Sequence, residues 1–257
     1  MNPLSIDINC DMGESFGNFK IGNDEKIFPF ISSCNIACGF HGGDPLHIEE
    51  TIKGALAHGV QIGAHPSYPD LAGFGRRQMQ IRKAELKAIV KYQICALKGM
   101  TESLGGRLVY VKPHGALYNT AAKDKEEAIA IIEAIQEVDA DMFLMGLAGS
   151  PIAMWAAEAQ IPFVGEAFAD RQYGNDGHLR ARNQEGALIT NADQAATQVL
   201  SIVLSQKVIS NEGENIPVAA QSICIHGDNP AALAILAAID EGLKENNIVK
   251  AGFALWK

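Results

Sequence analysis

Ionisable and amide side chains gather in short clusters along this chain: Asp7-Ile8-Asn9-Cys10-Asp11, His41, His65, Lys112-Pro113-His114, Glu166 with Asp170-Arg171, and His226-Gly227-Asp228. Each cluster closes a short apolar or β-rich run. Carboxylates and imidazoles set side by side can pass protons. A lysine among them either stays charged and holds an oxyanion or, once desolvated, serves as a base. The chemistry this suggests is acid–base hydrolysis of a small polar molecule. Of the seven histidines, His41, His65, His114 and His226 follow predicted strands, whereas His47 and His58 fall on a helix and His178 in a loop. A single histidine is more often a structural hydrogen-bonding group, but four at equivalent strand ends favour function.

Metal ligation through carboxylate oxygens beside these histidines stays open. The chain has no His-Glu-x-x-His and no Cys-x-x-Cys, and Cys34-x-x-x-Cys38-x-x-His41 is too compact for a closed zinc site. Cys34 and Cys38 share a strand face and are read as packing. Gly73-Phe74-Gly75-Arg76-Arg77 sets two guanidinium forks on flexible backbone, a combination suited to a carboxylate or phosphate. Neither a Gly-x-x-x-x-Gly-Lys-Ser/Thr phosphate loop nor a Gly-x-Ser-x-Gly nucleophile elbow is present.

Alternating elements must position these groups. Seven runs read as strands: Ser5 to Cys10, Ser33 to Cys38, Val60 to His65, Arg107 to Pro113, Met142 to Gly146, Pro162 to Phe168 and Ser222 to His226. Helices are predicted over Pro45 to His58, Arg82 to Leu104, Asp124 to Val138, Pro151 to Ala159, Ala192 to Gln206 and Pro230 to Asn246, with Asp44-Pro45, Ser150-Pro151 and Asn229-Pro230 as cap-plus-proline starts. This βα repetition implies a parallel sheet. Met12 to Phe30, Pro66 to Ile81 and Arg171 to Asn191 interrupt the rhythm and are expected to form loops over the mouth. Period two puts Asp7, Asn9 and Asp11 on one strand face, and likewise pairs Lys112 with His114 and His226 with Asp228. Polar ends spread over nearly every strand favour a closed barrel, because an open doubly wound sheet would gather them at one switch point.

The 257 residues, 47% of them hydrophobic, suit one barrel domain over residues 1–257. A net charge of −9 argues against nucleic acid or an anionic membrane as partner. No apolar run approaches the roughly 20 residues of a spanning helix, and the N-terminus lacks signal-peptide character, so a cytoplasmic protein is expected. Five cysteines, an odd number, are expected as free thiols.

Seven blocks in order, Asp7 to Glu14, Asn35 to Asp44, Gly63 to Asp70, Gly73 to Arg77, Val111 to Asn119, Glu166 to Arg171 and His226 to Asp228, together resemble the LamB/YcsF family, the A subunit of bacterial 5-oxoprolinase. The likeness covers essentially the whole chain. It implies a seven-stranded (β/α) barrel, distorted TIM-like and similar to the polysaccharide deacetylase barrel. It further implies action with B and C subunits to open 5-oxoproline to L-glutamate using ATP. Whether ATP touches this chain stays open. Barrel relatives often bind a divalent metal through Asp and His; no metal ligand is assigned here.

On this reading Asp11 or His65 is the general base on water and His114 or His226 the acid toward the leaving nitrogen. Lys112 and an arginine from Arg76, Arg77 or Arg171 neutralise the oxyanion or hold the substrate carboxylate. Asn9, Glu14, Asn35, His41, Glu166, Asp170 and Asp228 complete the expected substrate contacts. A stand-alone metal-dependent deacetylase or amidohydrolase, and a noncatalytic substrate-binding barrel, are the alternatives.

Overall fold

The computed structural model describes residues 4–182 and 184–255. In chain order the elements are β1 (Ser5–Met12), α1 (Asp24–Ile27), β2 (Ser33–Ala37), α2 (Pro45–His58), β3 (Gln61–His65), α3 (Lys83–Ser103), β4 (Leu108–Val111), α4 (Gly115–Ala121) and α5 (Lys125–Val138). They continue with β5 (Phe143–Leu147), α6 (Ile152–Glu158), β6 (Phe163–Phe168), α7 (Ala192–Ser205), β7 (Lys207–Ile209), β8 (Asn215–Pro217), β9 (Ser222–His226), α8 (Ala232–Glu245) and β10 (Val249–Lys250).

Strands β1 to β6 and then β9 pair in parallel, and β9 returns to β1 through Asp7↔Ser222 to Asp11↔His226. That last pairing closes a seven-stranded barrel and removes the open-sheet alternative. All seven strands fall where the sequence places them. β1 runs two residues further than expected because Asp11 and Met12 still pair with Asn35 and Ile36. β4 stops at Val111, short of Pro113, since a proline nitrogen cannot donate to a ladder.

The six predicted helices are present with ends shifted by no more than two residues. Helix α2 shows why: the Asp44 side chain accepts from the Leu46 and His47 amides, Pro45 opens the first turn, and Gly59 ends it at φ 66°. Helix α4, the β7–β8 hairpin and the short α1 and β10 were not anticipated. Outward strand residues such as Ile8, Cys34 and Ile62 pack with Ile52, Val90 and Ile94 of the helices in one continuous apolar shell. All five cysteines are free. Among the described residues no helix is long and apolar enough to cross a membrane.

The barrel interior is polar. Closure points Asp7, Asn9, Asn35, Tyr110 and Glu166 inward, each fully buried. Tyr110 fits only because Gly63 stands opposite; a Cβ there would lie 2.2 Å from the tyrosine ring.

Candidate active site

At the bottom of the barrel, Asp7 Oδ1 accepts from the hydroxyls of Ser32 and Ser33 at 2.6 Å each, and its other oxygen accepts from Ser222. Burial still lifts its pKa to about 6, against the hydroxyls that favour the anion. A carboxyl whose folded pKa lies above its unfolded value stabilises the fold below the unfolded value, near 4. That contribution is lost as pH rises through 6. Asp7→Asn is therefore expected to flatten the pH dependence of unfolding relative to the native chain, by roughly 2–3 kcal/mol between pH 4 and pH 7. Urea titrations of both proteins at the two pH values check this, and parallel curves would refute it.

One layer up, Asn9 Nδ2 donates to Glu166 Oε1 at 2.9 Å and to Ser222 Oγ at 2.7 Å. Asn35 Nδ2 donates to Asn9 Oδ1 and Asp11 Oδ1 at 2.7 and 2.8 Å, while Tyr110 donates to Asn35 Oδ1. The network converges on Lys112, whose Nζ lies 2.9 Å from Asp11, 2.8 Å from Glu166 and 3.2 Å from Cys224 Sγ. Burial alone would strip the proton from Lys112. Asp11, Cys224 and Glu166 outweigh burial and hold the ammonium well above the ordinary lysine value. Asp11 is balanced in the opposite sense: burial raises it, but His65 and Lys112 keep it well below the usual carboxylate range. Lys112 is thus held as a cation, with its donors already engaged by Asp11, Glu166 and Cys224.

Above this layer sit the histidines. His65 Nε2 lies 3.3 Å from Asp11 Oδ2 and 2.9 Å from His114 Nδ1. His41 stacks flat on His114, ring centroids 3.7 Å apart, and places Nε2 3.1 Å from Glu14 Oε1. Burial, with Asp11 and Asp228 nearby, pushes Glu14 well above the usual carboxylate range. Burial, then neighbouring histidines, depresses His41 and His114. Glu14, His41, His65 and His114 bring ligand atoms within 4.8 Å of one another, the imidazole and carboxylate donor types that a metal ion takes. The loop over them is held close by glycines: Gly75 has φ 62°, and a Cβ on it would sit 2.8 Å from the His114 ring. That approach brings the Phe74 carbonyl within 2.9 Å of His114 Nε2.

His226 is built separately. Asp170, fully buried, takes its Nδ1–H at 2.9 Å and its backbone N–H at 3.2 Å, and Phe168 stacks on the ring at 5.5 Å. A carboxylate only accepts, so Nε2 is the lone-pair nitrogen of the neutral ring. Asp11, His65, Lys112, His114 and His226 all line one cavity of 620 Å³. Arg171, 6% exposed, lines it too, with its Nε buried and unpartnered among the described residues. Burial, then Arg182, lowers Arg171 to about 10. Arg76 and Arg182, on opposite covering loops, both donate to Asp228 Oδ2, at 2.5 and 3.1 Å, and so form the rim.

The expected site residues therefore sort by depth. Asn9, Asn35 and Glu166 lie beneath the cavity as its support. Glu14 and His41 stand behind His65 and His114, and Asp170 holds His226. Arg77 turns away, paired with Asp70, which also accepts from Gly73 N. Among the cavity residues that were missed are Tyr118 and Arg182. Tyr118 lies one helical turn beyond His114, with its hydroxyl buried and unpaired among the described residues. Arg182 sits in the 171–191 excursion, whose charges were the available signal.

A (β/α)7 barrel with carboxylates, imidazoles and a lysine at the carboxyl ends of its strands defines a class of small-molecule barrel with an acid–base mouth. The profile of the LamB/YcsF family matches residues 6–256. The chain belongs to that family. It is 51% identical to the 5-oxoprolinase A subunit of Bordetella parapertussis, across 96% of this chain and 98% of that one. With the same-named protein of Acinetobacter baylyi it shares 50% identity across 95% and 96%. The crystal structure of a lactam utilization protein from Thermus thermophilus superposes with a TM-score of 0.92 at 42% identity, over 97% of this chain and all of that one. A family 4 carbohydrate esterase from Streptomyces lividans reaches a TM-score of 0.50 at 11% identity over 97% and 92%, which relates the fold alone.

Proposed function

We propose that this chain is the A subunit of a 5-oxoprolinase, opening the lactam of 5-oxoproline to L-glutamate in an ATP-consuming complex with B and C subunits. The name shared by its relatives supports the substrate. The observation that carries the chemistry is one cavity wall that joins Arg171, a buried guanidinium whose Nη2 donates to the Arg180 carbonyl while its Nε has no partner among the described residues, to His226, an imidazole held by Asp170.

The substrate carboxylate pairs with Arg171, since a desolvated guanidinium attracts an anion most where water is excluded. The lactam carbonyl then faces His226. Nε2 of His226 takes a proton from water as the C–O bond forms, and returns it to the ring nitrogen as the C–N bond breaks. Asp170 fixes the tautomer and steadies the imidazolium between the two transfers. Tyr118, whose buried hydroxyl has no partner within hydrogen-bond distance among the described residues, donates to the former carbonyl oxygen, a task Lys112 is too fully engaged to perform. An unstrained lactam is a poor electrophile, so in the complex the γ-phosphoryl group of ATP passes to the amide oxygen with ADP leaving; water attack and C–N cleavage then give an acyl phosphate, and a second water releases phosphate and L-glutamate. A divalent metal at the histidine–Glu14 cluster belongs to this reading, where it would polarise the carbonyl or its water.

The test is glutamate release from 5-oxoproline by the purified chain, alone and with B and C subunits, with and without ATP. Release only with partners and ATP is expected. No release from a verified complex overturns the assignment. Release by the chain alone without ATP moves it to a metal-dependent amidohydrolase, a reading favoured by the same cluster.

A further inference from the structure

We propose that the cavity floor binds one divalent first-row transition-metal ion through His65 Nε2, His114 Nδ1 and the carboxylates of Asp11 and Glu14, with His41 as an outer partner of Glu14. This ligand set follows from side-chain geometry and is independent of the lactam reading.

A backbone carbonyl only accepts hydrogen bonds, so a ring nitrogen against one carries the hydrogen. His65 Nδ1 lies 2.7 Å from the Lys112 carbonyl, and His114 Nε2 lies 2.9 Å from that of Phe74. The other nitrogens, His65 Nε2 and His114 Nδ1, are therefore lone pairs in the neutral rings. They face one another at 2.9 Å with the ring planes 88° apart. Two lone pairs at hydrogen-bond distance repel unless a cation lies between them. Anchoring the far N–H on a carbonyl is also how proteins orient metal-ligating imidazoles.

Carboxylate oxygens complete the ring of acceptors. Asp11 Oδ2 is 3.3 Å from His65 Nε2, and Glu14 Oε1 is 3.6 Å from His114 Nδ1. Asp11 spends Oδ1 on Lys112 and Asn35, which leaves Oδ2 for the ion. Charge points the same way. Asp11 and Glu166 are both buried and both pair with Lys112, which leaves one of the two carboxylates without a counterion of its own. A metal ion, or a proton shared between the rings, would supply it.

His41 is different. Its ring lies parallel to that of His114, 3° between planes at 3.7 Å, and lone pairs lie in the ring plane. The two rings cannot aim at one ion. His41 Nε2 lies instead 3.1 Å from Glu14 Oε1, where it orients that carboxylate. Mixed imidazole and carboxylate donors suit zinc, manganese, iron, cobalt or nickel better than magnesium or calcium, which prefer oxygen alone.

The chain, stripped by chelator and dialysed, is titrated with Co²⁺ and separately with Mg²⁺, following visible absorption and thermal unfolding. Expected are one Co²⁺ per chain, a d–d band, a raised melting temperature and no comparable response to Mg²⁺. His65→Ala, checked as folded by circular dichroism, is expected to lose the band. His41→Phe is expected to keep it while weakening binding by about 10- to 100-fold, the usual effect of losing an outer partner. A wild-type chain with neither band nor thermal shift overturns the proposal in favour of a shared proton. A folded His41→Phe protein that loses the band as completely as His65→Ala overturns the ligand set.

Discussion

Asp170→Asn is expected to lower turnover of the assembled enzyme by about 100- to 10,000-fold with little change in KM, because proton transfer through His226 is worth that range and substrate binding does not use Asp170. Asp170 accepts three hydrogen bonds, from the Nδ1 and backbone N–H of His226 and from Asn229 Nδ2 at 3.2 Å. Asparagine at this position keeps one accepting oxygen, which the backbone and Asn229 donors can claim, and turns its amide hydrogens toward Nδ1. The imidazole then carries its hydrogen on Nε2 and presents no lone pair to water. Phe168 still stacks on the ring, so position is kept while the protonation pattern inverts. Steady-state rates of glutamate formation decide the matter. Turnover within threefold of the native enzyme would remove His226 from the proton path.

The same residues show what a sequence encodes about a barrel interior and what it does not. Alternation in β1 separates Asp7, Asn9 and Asp11 from Ile6, Ile8 and Cys10, and that separation is the inside–outside partition observed. Parity is silent on depth. Asn9 and Glu166 point inward as truly as Asp11, yet they lie a layer below the cavity, because strand tilt and register set height and neither is written in one strand. The adjacent Arg76 and Arg77 look equivalent in sequence. In the fold Arg76 reaches Asp228 across the mouth while Arg77 closes back on Asp70 within its own loop. Helix α4 was hidden because it opens on Gly115 at φ 55°, directly after a proline and a histidine, with no side-chain cap to announce it. Tyr118 was hidden with it. The facing lone pairs of His65 and His114 depend on carbonyls supplied by Lys112 and Phe74, a relation across separate loops that no spacing rule contains.

Lys112→Met is expected to destabilise the fold by about 3–5 kcal/mol at neutral pH, the usual cost of leaving buried charges without their partner. Its ammonium touches Asp11 and Glu166 within 2.9 Å of each; Glu166 is fully buried and Asp11 nearly so, at the cavity floor. Methionine fills much of the stem's volume, so lost packing is the smaller part of the effect. The penalty is electrostatic and should shrink as pH falls, because protonating Asp11 removes a charge that lost its counterion. Adding Glu166→Gln to Lys112→Met removes one orphaned charge while keeping an acceptor for Asn9 Nδ2. The double variant is therefore expected to recover stability relative to Lys112→Met alone, which makes the two substitutions strongly non-additive. Urea unfolding of the native chain, both single variants and the pair, at neutral and mildly acidic pH, closes the cycle. Additive losses that do not change with pH would mean that Lys112 supports the barrel by its bulk, and that the polar interior is neutralised by some other charge.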